Sequence, residues 1–142
     1  MNASPDDAAA SPKLRRPSVL ILDDDPTSLR VAYFSLRNHY EVFACETLQQ
    51  AVALVREEVI DYLISDFYLG YGQTGAEALK RLRSEPTFDP VACFLLTSNP
   101  EPAVRDIALA AGFRKVFHKP ITREFRAFFT NQFDSADTHS NF

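Results

Sequence analysis

The chain has 142 residues, enough for one domain with a sizeable core and too few for that domain plus a second folded output module. It is 46% apolar and 24% charged, an ordinary soluble composition, and a net charge of −4 without a basic stripe gives nucleic-acid binding no electrostatic support. Cys45 and Cys93 form no spacing pattern, which argues against a disulfide framework. There is no apolar signal segment, and no run approaches the roughly 18 apolar residues of a membrane helix, so the cytoplasm is the expected compartment.

Residues 1–17 are rich in Ala, Ser, Pro and Asp and read as a flexible tail. Residues 18–133 form the expected domain, and residues 134–142 a second polar tail. Within the domain, Val19-Leu-Ile-Leu22 is a continuous apolar run ending in acid, the pattern of a strand buried on both faces. Asp25-Pro26-Thr27 starts a helix, with a carboxylate cap, proline in the first turn and an apolar stripe at Leu29, Ala32, Tyr33 and Leu36. A second strand is expected at Tyr40–Ala44. The capping box Thr47-Leu-Gln-Gln50 then opens a helix with Ala51, Leu54 and Val55 on one face.

Tyr62-Leu-Ile-Ser65 is the third strand, closed by Asp66. A glycine-bearing loop leads to a second capping box, Thr74-Gly-Ala-Glu77, and a helix to about Arg83. Val91–Leu96 is the fourth strand, Asn99-Pro100 opens a helix that Gly112 ends, Val116-Phe117 is a short fifth strand, and Thr122 to about Gln132 is the last helix. Phe125, Phe128 and Phe129 share one face of that helix, with Phe133 partly following. Packing on the sheet is the first expectation and an exposed partner surface the second.

Strands alternating with helices imply an α/β fold: five parallel strands, doubly wound, flavodoxin-like in the order 2-1-3-4-5, with five helices. A dinucleotide-binding half is disfavoured, because Asp23-Asp24-Asp25 stands where a glycine-rich pyrophosphate loop would be needed.

Ligands in such sheets bind beyond the carboxyl ends of the strands. Strand one delivers Asp23 and Asp24 there, strand three Asp66, strand four Thr97 and Ser98, and strand five leads into Lys119-Pro120. Clustered carboxylates repel at short range, and a divalent cation removes that penalty. Mg²⁺, with Mn²⁺ as an alternative, takes hard oxygen ligands together with phosphate. Asp66 has the chemistry of a nucleophile toward phosphorus, with Lys119 and the Thr97 hydroxyl as donors to phosphoryl oxygens. Taken singly, each residue also has a structural reading. Asp25 is a helix cap, Asp23, Asp24 and Asp66 could be turn residues, and most lysines are solvated.

The ordered set resembles the receiver domains of two-component response regulators. The likeness rests on Val19-Leu-Ile-Leu-Asp-Asp-Asp-Pro26, Asp61-Tyr-Leu-Ile-Ser-Asp66, Leu95-Leu-Thr97 and Phe117-His-Lys-Pro120. It implies that Asp66 takes a phosphoryl group from a histidine kinase or histidine phosphotransfer protein, and that Asp23, Asp24, Asp66 and the Tyr68 backbone carbonyl hold Mg²⁺. It implies that Lys119 and Thr97 contact the phosphoryl group and that the Lys119–Pro120 linkage is cis. Tyr68 and Asn99 stand where the family tunes water access, and a bulky Tyr68 beside an Asn99 that cannot act as a base implies slow self-dephosphorylation. The loop Leu69-Gly-Tyr-Gly-Gln-Thr-Gly75 looks like that of hybrid sensor kinase receivers. Such a domain turns over no external substrate. It serves as a phosphorelay shuttle, or regulates a target or homodimer through the fourth helix, fifth strand and fifth helix, with no membrane or nucleic-acid partner.

Two departures stand out: Val116 where many receivers carry an aromatic residue, and Gly70 where proline is common. Two other readings remain. One is a phosphorylation-independent adaptor on the same fold. The other is a haloacid-dehalogenase-type phosphatase, which Asp23-Asp-Asp25-Pro-Thr27 resembles, with Asp23 as nucleophile and Asp25 as acid/base. That reading lacks an acidic pair at a strand end after Lys119 and gives Asp66 no role.

Overall fold

A computed structural model describes residues 16–139, with side chains described through residue 131. Five strands run β1 Ser18–Leu22, β2 Glu41–Cys45, β3 Tyr62–Ser65, β4 Ala92–Thr97 and β5 Lys115–His118. They pair in parallel in the order β2-β1-β3-β4-β5. The helices are α1 Pro26–Leu36, α2 Leu48–Val55, α3 Gly75–Arg83, α4 Pro102–Ala111 and α5 Arg123–His139. This is the expected five-stranded, doubly wound sheet.

The strands are apolar throughout because both faces are covered. Alternate residues point to opposite faces. Leu20, Leu22, Leu63, Cys93, Leu95 and Val116 form one core with Ala51, Val55, Leu79, Leu82, Val104 and Ala108, the inward faces of α2, α3 and α4. Val19, Ile21, Tyr62, Ile64, Phe94 and Phe117 form the other with Leu29, Ala32 and Leu36 of α1 and Phe125 and Phe129 of α5. Phe94 is fully buried, and its ring lies 5.1 Å from that of Phe129 and 5.5 Å from that of Phe128. The α5 phenylalanines are therefore core. Phe125 and Phe129 are buried and Phe128 is half-buried, while the side chain of Phe133 lies outside the described residues.

The helix starts follow the capping chemistry. Asp25 accepts from Thr27 N–H, and both threonine capping boxes are closed by Gln50 and Glu77. Several details differ from the sequence pattern; the second strand, for one, runs Glu41–Cys45, one residue later than expected. Tyr33 is exposed, because Leu29, Ala32 and Leu36 already fill the buried stripe of α1. The fourth strand begins at Ala92 and leaves Val91 exposed, while Thr97 joins the ladder opposite His118. α4 begins at Pro102, not at Asn99-Pro100; Glu101 is held extended at ψ 154° as the residue before proline must be. α5 runs on to His139, so residues 134–139 of the expected tail are helical in backbone. Of the expected N-terminal tail, residues 1–15 lie outside the described part, and Pro17 lends its carbonyl to Glu41 N–H at the sheet edge.

Candidate functional site at the carboxyl edge of the sheet

β1 ends at Leu22 and β3 at Ser65, and Asp66 N–H donates to the Leu22 carbonyl at 2.9 Å. That bond holds the two strand ends level and brings Asp23, Asp24 and Asp66 together. One carboxylate oxygen from each lies within 4.8 Å of the others. Lys119 enters from the end of β5. Its Nζ donates to Asp23 Oδ2 at 2.7 Å and to Asp66 Oδ2 at 2.9 Å. The Lys119 backbone N–H donates to the Thr97 carbonyl at 2.8 Å, and the Lys119–Pro120 peptide is cis. The remaining oxygens of Asp23 and Asp66 are also held. Asp23 Oδ1 accepts from Asp25 N–H at 2.9 Å, and Asp66 Oδ1 from Phe67 N–H at 2.6 Å.

Three carboxylates against one ammonium leave two negative charges uncompensated. Asp23 is only 4% exposed, and burial pushes its carboxyl above the ordinary range. Bonds from Lys119 and Asp25 N–H oppose that shift, and the nearby Asp66 charge adds to it. Burial alone would lower the Lys119 pKa, but its bonds to Asp23 and Asp66 outweigh this and hold it above its ordinary value. An all-oxygen donor set with surplus negative charge suits a hard divalent cation.

A cleft of about 550 Å³ opens onto this cluster, lined among others by Asp25, Ser28, Asp66, Ser98, Lys119 and Pro120. Asp25 sits at its rim as the α1 cap. Its carboxyl is held below the ordinary range by the Ser28 hydroxyl and by Thr27 N–H. That tethering occupies the group the phosphatase reading needs as acid/base.

The other predicted residues are more dispersed. Thr97 is buried, and its hydroxyl accepts from Asn99 N–H at 3.4 Å without a bond to Asp66 or Lys119. Ser98 and Asn99 are exposed, and Val116 is buried in the α2–α3–α4 core. Tyr68 is half-exposed, its ring edge-on to Phe67 at 4.8 Å.

Two positions that sequence reasoning missed shape the site. A side chain at Gly75 would collide with the Asp66 carbonyl, and Gly75 N–H donates to the Phe67 carbonyl at 2.6 Å. The second is the Asp25 backbone, which anchors Asp23. The only sequence signal for either was its place in a capping motif.

Fold and site together define an α/β domain of the CheY-like class. The family model described as "Response regulator receiver domain" matches residues 19–125, and the chain belongs to that family. Its fold is similar to chemotaxis protein CheY4 of Vibrio cholerae, with a TM-score of 0.72 and 24% identity over 82% of this chain and 97% of that one. It is also similar to the receiver domain of sensor histidine kinase PA1611 from Pseudomonas aeruginosa, with a TM-score of 0.70 and 23% identity over 87% and 98%. That structure carries a magnesium ion coordinated in the active-site cleft. No curated protein matches the chain in sequence. Among the described residues, no helix is long and apolar enough to cross a membrane.

Proposed function

We propose that Asp66 is the phosphoacceptor of a Mg²⁺-dependent receiver, loaded from a phosphohistidine on a histidine kinase or histidine phosphotransfer protein. The observation that carries this reading is the placement of Asp66. Its carboxylate faces an open cleft, one oxygen held by Lys119 and the other by Phe67 N–H, beside two further carboxylates. In the transfer, an Asp66 oxygen attacks phosphorus, the P–O bond forms as the P–N bond breaks, and the electron pair returns to the donor imidazole. Asp23, Asp24, Asp66 and the Tyr68 carbonyl would hold the cation, which supplies positive charge to the phosphoryl oxygens; the magnesium-bearing PA1611 receiver supports this assignment. Lys119, already poised on Asp66, would shift a donor from Asp23 to the phosphoryl group.

Loading adds about two negative charges at Asp66. The Thr97 hydroxyl is close in the chain to the cleft residue Ser98 and is tethered only by a long bond, so it is free to turn toward that charge. Because Val116 is small and packed in the core, the switch works through the Thr97–Asn99 loop and the start of α4, not through an aromatic swing. The output is a changed surface for a partner protein.

The test is incubation with acetyl phosphate and Mg²⁺ followed by intact-protein mass spectrometry. One phosphoryl adduct is expected on the native chain and none on Asp66→Asn. No adduct on the native chain with acetyl phosphate or phosphoramidate, together with no spectral change on beryllofluoride addition, would leave only an adaptor role. A screen against the host's histidine kinases then names the donor.

A further inference from the structure

The three clustered carboxylates are not held alike. Asp23 and Asp66 are each fixed by Lys119 and by a backbone N–H. The Asp24 carboxylate makes no hydrogen bond or ion pair with any described residue, although it contributes an oxygen to the cluster. What it meets is the bare backbone of the β3–α3 loop. Gly70 adopts φ +85°, and a Cβ built there would stand 2.8 Å from Asp24 Oδ2 and 3.7 Å from its Cγ. Gly72, two residues on, adopts φ +75° with nothing within 4 Å of the same construction. Two glycines thus share a left-handed backbone, and only one of them abuts a carboxylate.

We infer that Gly70 is the positioning residue for Asp24, and that its missing side chain sets the affinity of the site for a divalent cation. This rests on the proposed function only in reading the carboxylate cluster as a cation site. A separation of 2.8 Å is too short for a carbon–oxygen contact, so something must move. The cheapest motion is rotation of the short, untethered Asp24 side chain out of the cluster, because displacing the loop would break the Leu69 N–H bond to Gln73 and the Gln73 N–H bond to Gly70. A side chain at position 70 therefore removes a cation ligand while leaving the fold in place. The backbone strain of an L-residue at positive φ is common to both glycines and cancels between them.

The experiment is Mg²⁺ titration of the full chain by calorimetry, with thermal unfolding recorded in parallel. The proteins are the native chain, Gly70→Ala, Gly72→Ala, Asp24→Ala and the double variant Asp24→Ala/Gly70→Ala. Gly70→Ala is expected to bind about 10-fold more weakly than the native chain, the scale seen when a ligand loses its support. Gly72→Ala should lose similar thermal stability yet bind within about two-fold of native. Adding Gly70→Ala to Asp24→Ala should weaken binding no further. Equal affinities for Gly70→Ala and Gly72→Ala would overturn the inference, as would an undiminished Gly70→Ala effect in the Asp24→Ala background. Should the native chain take up no Mg²⁺, the cation reading falls, and the crystal structure of Gly70→Ala decides the positioning by itself: an Asp24 Oδ2 left in the cluster overturns it, and a displaced one supports it.

Discussion

Two buried acids in this domain live in opposite electrostatic surroundings. Glu85, just past α3, is met by two guanidinium groups: Arg56 donates to both its oxygens at 2.8 and 3.0 Å, and Arg81 donates at 2.7 Å. Bonds from Arg56 and then Arg81 push its carboxyl down to about 2. Asp23, at the other edge of the sheet, shares a single lysine with Asp66, has Asp24 beside it, and is pushed up. Surplus positive charge around one acid ties α2 to α3. Surplus negative charge around the other makes a set of oxygen donors suited to a cation. On the proposed function, the contrast separates a cluster that stabilises the folded chain from one that costs it stability until a cation binds.

The largest effect should come from deepening the deficit. Lys119→Met leaves Asp23 and Asp66, each with a side chain less than 15% exposed, without their shared ammonium. Breaking a buried pair this way costs about 3 kcal/mol. Urea unfolding in EDTA should show that loss, and millimolar Mg²⁺ should recover most of it. An equal loss in EDTA and in Mg²⁺ would mean that the cluster has no cation deficit to relieve.

A smaller effect of opposite sign should follow from relieving the deficit. Asp23→Asn removes one of the crowded charges; its single amide oxygen can still accept from Asp25 N–H, and Lys119 gives up its bond to position 23 but keeps Asp66. Metal-free stability at pH 7 should rise by about 1 kcal/mol, the low end of the gain when buried charge is replaced by neutral groups of similar size. The pH dependence follows from the direction of the shift. The folded chain binds the Asp23 proton more tightly than the unfolded chain, so stability declines as pH rises from 3.8 through the raised folded-state value. In Asp23→Asn that part of the decline should be absent, while Mg²⁺ stabilises the variant less than the native chain.

The two clusters were not equally legible. Asp23, Asp24 and Asp66 could be placed together because each follows a short, continuous apolar run that reads as a central strand, and parallel sheets gather such ends on one edge. Both capping boxes were legible because their spacing is local. Arg56 and Glu85 are 29 residues apart, and only the packing of α2 beside α3 joins them. Gly70 and Gly75 gave no local sign of the oxygens they abut, since a close approach depends on the partner strand as much as on the glycine. α4 starts later than its sequence pattern suggests because two prolines compete for the start, and the extended residue before the second decides.

The smallest effects should follow from Glu85→Gln, and they test whether the clusters are independent. Arg56 and Arg81 have side chains 57% and 41% exposed, so water takes over much of what the carboxylate supplied. The native contribution of Glu85 is fully present above its ordinary value of 4.5 and is lost as pH falls through about 2. Acid unfolding of Glu85→Gln should therefore be shallower between those limits, starting from a slightly lower melting temperature at pH 7. Mg²⁺ affinity should stay within about two-fold of native, because the nine residues of α3 span about 13 Å between Asp66's neighbour Gly75 and Glu85. A larger change in affinity would mean that α3 transmits strain from one cluster to the other. The arginine cluster would then belong to the switch as well as to the scaffold.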